Sequence, residues 1–127
     1  MLPRLPDGRI VGDLGGCVIY TGAGRSALLG LTAQDMAGIR SASEPFAKLL
    51  AQRVRERLGA TWGLSETGAS GPTGNRYGDP PGHACIAVSG PIEAVITVAT
   101  GSADREANMR AFARAAVELL EFCLRRT

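Results

Sequence analysis

The stretch His83-Ala84-Cys85-Ile86-Ala87-Val88-Ser89-Gly90-Pro91-Ile92-Glu93-Ala94-Val95-Ile96-Thr97-Val98-Ala99-Thr100 decides the fold. Two β-rich runs, His83–Ser89 and Glu93–Thr100, flank the turn pair Gly90-Pro91, a pattern that predicts a β-hairpin. Gly101-Ser102-Ala103-Asp104 makes the next turn. A helix is expected from about Asp104 to Leu124, with Met109, Phe112, Ala116, Leu119, Leu120 and Cys123 as its buried stripe.

Upstream of the hairpin, Thr61–Ser65 reads as a short strand. It runs into Thr67–Gly82 (TGASGPTGNRYGDPPG), where no periodicity survives. Before that strand, Ser43-Glu44-Pro45 has the form of a helix start: a capping hydroxyl, an acid for the helix dipole and a proline in the first turn. Phe46, Leu49, Leu50, Val54 and Leu58 follow at helical spacing, and Gly59 suits the residue that ends the helix. Thr32-Ala33-Gln34-Asp35 has the form of an N-cap with an acid three residues on, and predicts a turn or two of helix that stops by Gly38. Gly16–Thr21 (GCVIYT) reads as a buried strand that ends at Gly22-Ala23-Gly24, with a short helix over Arg25–Gly30. Met1–Leu14 shows no period and reads as an irregular lead-in, with a short extended piece at Arg9–Val11. The order predicts one α/β domain over residues 15–127. Helices cover a mixed sheet that contains the antiparallel hairpin.

Composition narrows the function classes. Within 127 residues the net charge is only +2, too small for a nucleic-acid footprint. No apolar run reaches the ~18 residues of a membrane span, and no secretion or lipidation signal is present. Cys17, Cys85 and Cys123 are odd in number, widely spaced and set in apolar surroundings, so buried free thiols in a reducing, cytoplasmic compartment are expected. The single histidine, His83, leaves no metal constellation, and no cofactor is called for. Lys48 is the only lysine; every other basic residue is arginine, which stays protonated and cannot act as a general base.

The glycine loop is the leading candidate site. It follows a strand, where open α/β sheets place their ligands. Gly68, Ala69, Gly71 and Gly74 would let backbone N–H groups approach an anion. Thr67, Ser70 and Thr73 add hydroxyls, and Asn75 and Arg76 add directional donors. The spacing is neither that of a P-loop nor G-x-G-x-x-G. A long surface crossover rich in turn residues would have the same composition. Arg105 at the last helix start is a second candidate anion contact. Tyr20 at a strand end could move a proton. His83, with no evident acid or nucleophile partner in the sequence, reads as structural, and no Ser-His-Asp or Cys-His arrangement stands out.

Taken together, Gly16–Leu31 (GCVIYTGAGRSALLGL), Ser41-Ala42-Ser43-Glu44-Pro45, Thr67-Gly68-Ala69-Ser70-Gly71-Pro72 and Gly101-Ser102-Ala103-Asp104-Arg105 resemble the CinA C-terminal domain family in content, order and spacing. The resemblance runs from about Gly15 to the C-terminus. It implies a three-layer α/β/α fold and, since several members are nicotinamide-nucleotide amidases, metal-free hydrolysis of nicotinamide mononucleotide. In those enzymes the nucleophile is the serine of a Glu-Ser-x-Thr-Gly-Gly motif, activated by a lysine shortly after the strand tyrosine.

Carried over by position, Tyr20 falls on that tyrosine, Thr67, Gly68 and Gly71 on the substrate loop, and Arg105 on the arginine near the last helix. Two departures stand beside these matches. No Glu-Ser-x-Thr-Gly-Gly occurs in these residues, so the family's first strand and helix lack a counterpart, and Arg25 stands where the lysine would be. The expectation is a domain that binds a nucleotide or small anionic ligand at Thr67–Arg76 and Arg105 without the Ser–Lys pair. Its Tyr20, Arg25 and Thr67 would occupy the catalytic positions. A second copy or a partner chain is expected over uncovered sheet surface. Two alternatives stay open: an active amidase with a rearranged nucleophile, Ser70 or Thr67 attacking with help from Tyr20, and a dimerising module without ligand.

Overall fold

β2 (His83–Ser89) is buried at every position after His83. A strand buried on both faces cannot alternate apolar and polar residues, which explains its continuous apolar sequence. The computed structural model describes residues 15–127, and in it β2 is the centre of a three-stranded sheet in the order β1-β2-β3. β1 (Gly63–Ala69) pairs with it antiparallel, Glu66 opposite Ile86. β3 (Ala94–Ala99) pairs on the other side, Ile96 opposite Ile86.

Alternate β2 side chains feed two different layers. Ile86 and Val88 pack with Ala116, Leu119 and Cys123 of α3 (Arg105–Leu124). Cys85 and Ala87 pack with Ala47 and Ala51 of α2 (Glu44–Arg57). The domain is therefore an α/β/α sandwich. The α2 side is built from small residues, so the helix lies close to the sheet. A Cβ on Gly63 would strike the Ala51 carbonyl oxygen and the Arg55 side chain. That closeness lets the Ser65 hydroxyl donate to the Ala47 carbonyl at 2.5 Å. α1 (Gly22–Leu29) ends at Gly30 with φ 63°, and Leu29, Leu31 and Phe46 form a third apolar cluster on the far side of α2.

The caps follow the sequence. Ser43 accepts from the Phe46 N–H, Asp104 from the Ala107 N–H, and Gly59 takes a left-handed φ of 59° after α2. Thr32 and Asp35 bond reciprocally, side chain to backbone N–H, at 2.9 and 3.1 Å, but the residues that follow to Gly38 form turns and not the expected helix.

Several expectations need correction. Residues 16–21 form no strand: they find no ladder partner and turn at Thr21 into the N-cap of α1. β-rich composition alone does not make a strand, because its backbone groups need a paired neighbour. With that strand absent, the described sheet is antiparallel throughout rather than mixed. Cys17 is consequently exposed, whereas Cys85 and Cys123 are buried as expected. β1 runs on to Ala69, so Thr67, Gly68 and Ala69 are strand and the irregular loop begins at Ser70. Glycine at 68 permits this, since a Cβ there would meet the His83 carbonyl and Ala84. Finally, the buried stripe of α3 holds at Phe112, Ala116, Leu119 and Cys123 but begins at Asn108, which is 1% exposed, and not at Met109, which is 50% exposed. Residues 1–14, read as a lead-in with an extended piece at Arg9–Val11, lie outside the described residues.

Substituting Gly63→Val should push α2 off the sheet and cost about 1–3 kcal/mol through overpacking. A urea titration would show a lower midpoint with an unchanged slope.

Candidate functional site: a clamped loop with an arginine face

The crossover from Ser70 to Gly82 is tied down at both ends. At the first, Asn108 donates to the Ser70 and Ser102 carbonyls, both at 2.9 Å, and accepts from the Thr100 hydroxyl at 2.5 Å. Arg105 donates to the Gly71 carbonyl at 2.9 Å. A buried amide with these bonds satisfied stiffens what it holds.

At the second, the Asn75 side-chain oxygen accepts from the Tyr77 and Asp79 N–H groups at 3.0 and 3.2 Å, an Asx-type turn. The Asn75 amide donates to Asp79 at 2.8 Å. Arg40 closes the cluster with two bonds to the Asp79 carboxylate at 2.8 and 3.3 Å. These bonds, Arg40 first and Asn75 next, hold the Asp79 carboxyl below the usual carboxylate range.

Between the ends sits Ala42, a buried non-glycine residue with φ 55°. Such a conformation costs of order 1–3 kcal/mol and persists only where neighbours enforce it. Here its N–H donates to the Thr67 hydroxyl at 3.1 Å, and its carbonyl accepts from His83 Nε2 at 2.8 Å. A carbonyl can only accept, so the bond fixes the proton on Nε2. Nε2 then cannot take a proton from Cys85, whose sulfur lies 3.9 Å away. Burial pushes the Cys85 thiol up, so it stays protonated. The Cys85–His83–Asp79 grouping is structural, not a nucleophilic relay.

The outward side of this clamp is basic. Arg25 donates to the Ser41 hydroxyl at 3.3 Å and lies 5.7 Å from the Phe46 ring centre. Ser41 adjoins Arg40, and both Arg40 and Arg76 lie 5.0 Å from the Tyr77 ring centre. Arg76 donates to the Tyr77 hydroxyl at 2.9 Å and, with Ser41, lowers the ionisation of that phenol from the ordinary tyrosine range. Of these three guanidinium groups, Arg40 alone is paired with a carboxylate, Asp79, among the described residues.

The predicted residues are thus divided. Ser70, Gly71 and Arg105 belong to the α3 end of the loop. Asn75 and Arg76 belong to the Arg40 end, with Arg25 joined to it through Ser41. Thr67, Gly68 and Ala69 lie in β1, Thr67 turned to Ala42. Thr73 and Gly74 are exposed, and a Cβ on Gly74 would strike the Asp79 carbonyl. Tyr20 is 82% exposed. The sequence reading missed Arg40, Ser41, Tyr77, Asp79 and Asn108. One signal was available, an aspartate four residues before the only histidine. Among the described residues no group of three His, Cys, Asp or Glu side chains could hold a metal, and no helix is long and apolar enough to cross a membrane.

An antiparallel sheet between two helix layers, carrying a clamped glycine loop, defines a small α/β/α domain. The chain belongs to the CinA C-terminal domain family, whose model matches residues 13–124. It is 37% identical over 127 residues to a CinA-like protein of Anaeromyxobacter sp. (strain K), covering 98% of this chain and 30% of that one. A CinA-like protein of Gloeobacter violaceus (strain ATCC 29082 / PCC 7421) is 42% identical over 79 residues, covering 62% of this chain and 18% of that one. The chain thus spans less than a third of the length of these curated relatives.

Among solved structures, a competence-damaged protein (CinA) superfamily protein from Klebsiella pneumoniae 700603 superposes with a TM-score of 0.76 at 20% identity, covering 85% of this chain and 68% of that one. The competence/damage inducible protein CihA from Agrobacterium tumefaciens gives 0.71 at 23%, covering 80% and 63%. At these identities the likeness speaks for the fold.

Two outcomes follow from the clamp. Asn108→Leu should cost about 2–3 kcal/mol, since it strands the Ser70 and Ser102 carbonyls and the Thr100 hydroxyl; thermal melts would register it. The lowered Asp79 carboxyl contributes stability that is complete above the unfolded value of about 4 and is lost as pH falls through the lower folded value. Melting temperature followed across that acid window should fall less steeply in Asp79→Asn than in the wild type.

Proposed function

We propose that the domain binds a small anionic ligand of the nucleotide class on the Arg25–Ser41–Tyr77–Arg76 face and does not itself hydrolyse an amide. The observation that carries this reading is the charge surplus: among the described residues Arg40 is paired with a carboxylate, Asp79, while Arg25 and Arg76 rest on the Ser41 and Tyr77 hydroxyl groups. Guanidinium groups match phosphate and carboxylate geometry and hold their charge at any physiological pH. The clamp beneath keeps the donors in place, which reduces the ordering cost of binding.

The resemblance to nicotinamide-nucleotide amidases makes nicotinamide mononucleotide the first ligand to test. The hydrolytic step lacks support in these residues. No Glu-Ser-x-Thr-Gly-Gly is present, and Arg25 cannot accept a proton from a serine. The rearranged nucleophile fares no better. The Thr67 hydroxyl accepts from the Ala42 N–H, and Tyr20 projects into solvent.

Calorimetric titration with nicotinamide mononucleotide and with pyrophosphate should show binding that weakens as salt rises. Arg25→Ala and Arg76→Ala should each lower affinity about tenfold or more, the size of a charged hydrogen bond. Arg105→Ala should change it little. No ammonia should be released. Ammonia release by the purified chain would overturn the non-catalytic reading. Loss of binding in Arg105→Ala but not in Arg76→Ala would move the site to the other end of the loop.

A further inference from the structure

On the arginine face the donors converge on one oxygen, the Tyr77 hydroxyl. Arg76 donates to it at 2.9 Å. Ser41, whose hydroxyl accepts from Arg25 at 3.3 Å, bears on the same phenol oxygen. Asp79, the carboxylate beside them, is committed elsewhere, to two bonds from Arg40 and one from Asn75. Arg76 therefore holds a phenol where a guanidinium is best matched to a carboxylate or phosphate. A neutral phenol is the weaker acceptor, since charge-assisted bonds are roughly twice as strong.

The Tyr77 side chain can leave without undoing the loop. The Asx-type turn uses its backbone N–H, bonded to Asn75 at 3.0 Å, and not its ring. The ring is touched by the Arg40 and Arg76 guanidinium groups, each 5.0 Å from its centre, contacts that are weak where solvent reaches them. We propose that the Tyr77 hydroxyl holds the place of the ligand's anionic oxygen. A phosphate or carboxylate displaces it from Arg76 and Ser41, so Tyr77 restrains binding instead of contributing to it. The proposal rests on the reading that the arginine face binds an anion.

A pH dependence follows. Bonds from Arg76 first, and then from Ser41, lower the ionisation of the phenol from the ordinary tyrosine range. The charged groups around it are Arg76 and Arg40, with Arg25 behind Ser41, Asp79 behind Arg40, and His83 beyond Asp79 and bonded to Ala42. The arginines stay protonated. Asp79 is held ionised. The phenol is thus the group that gains charge in mild alkali, and a phenolate competes for Arg76 more strongly than a phenol does.

Calorimetric titration of the full chain with nicotinamide mononucleotide tests this, because its phosphate is fully ionised well above a second pKa of about 6. Tyr77→Phe keeps the ring between the two guanidinium groups and removes only the hydroxyl. Near neutral pH it should bind about three- to tenfold more tightly than the wild type. As pH rises toward the ordinary tyrosine value of about 10, wild-type affinity should fall while that of Tyr77→Phe stays level. Binding by Tyr77→Phe alone would also support the proposal. Affinity unchanged or weakened in Tyr77→Phe overturns it, as do equal pH slopes in the two proteins; the arginine face then survives as the site if Arg76→Ala still loses affinity. Binding by neither protein overturns the arginine-face reading and this proposal with it.

Discussion

Ala47 and Ala51 bring α2 so close to the sheet that Gly63 has no room for a side chain, and the rest of the domain is arranged around that approach. Larger residues on either surface would lift the helix, and the Ser65 hydroxyl would no longer reach the Ala47 carbonyl. The same closeness places the segment leading into α2 above β1 and β2. Ala42 therefore sits where Thr67 and His83 can bond its two backbone groups. The strained conformation at Ala42 is stabilised by neighbours that exist only because the helix lies flat.

The clasp on Ala42 also settles what its residues can do chemically. A histidine, a cysteine and an aspartate stand within about 4 Å of one another along the chain His83–Cys85 and His83–Asp79. In isolation that grouping suggests a nucleophile. The Ala42 carbonyl takes the Nε2 proton, burial keeps the thiol neutral, and Arg40 holds the carboxylate ionised. Each group is committed to holding the loop. The arginines around the clasp stay protonated and can donate but not accept a proton.

Membership of the CinA C-terminal domain family rests on a match over most of the chain and on relatives more than a third identical. The loop from β1 to β2 is the long irregular segment of the sheet. Its two ends are held by unrelated devices, a buried amide on the α3 side and an aspartate–arginine pair on the α2 side. Either device could change while the other kept the loop in place.

By itself, the sequence determined the hairpin, the helices α1, α2 and α3, the caps at Ser43 and Asp104 and the family, because these follow from local patterns of spacing, turn residues and short motifs, but it also expected a helix from Thr32 to Gly38, where only turns form. It also pointed to the glycine loop. It could not settle residues 16–21, since a strand needs a partner in space as well as a suitable composition. It began the buried stripe of α3 at Met109 where the structure has Asn108, because Asn108 looks polar until its three bonding partners from Ser70, Thr100 and Ser102 arrive. The pairing of Arg40 with Asp79, 39 positions apart, and of Ala42 with His83, 41 apart, was likewise closed to local reading. Only the tertiary structure decides such contacts, since what joins them is the packing of α2 on the sheet.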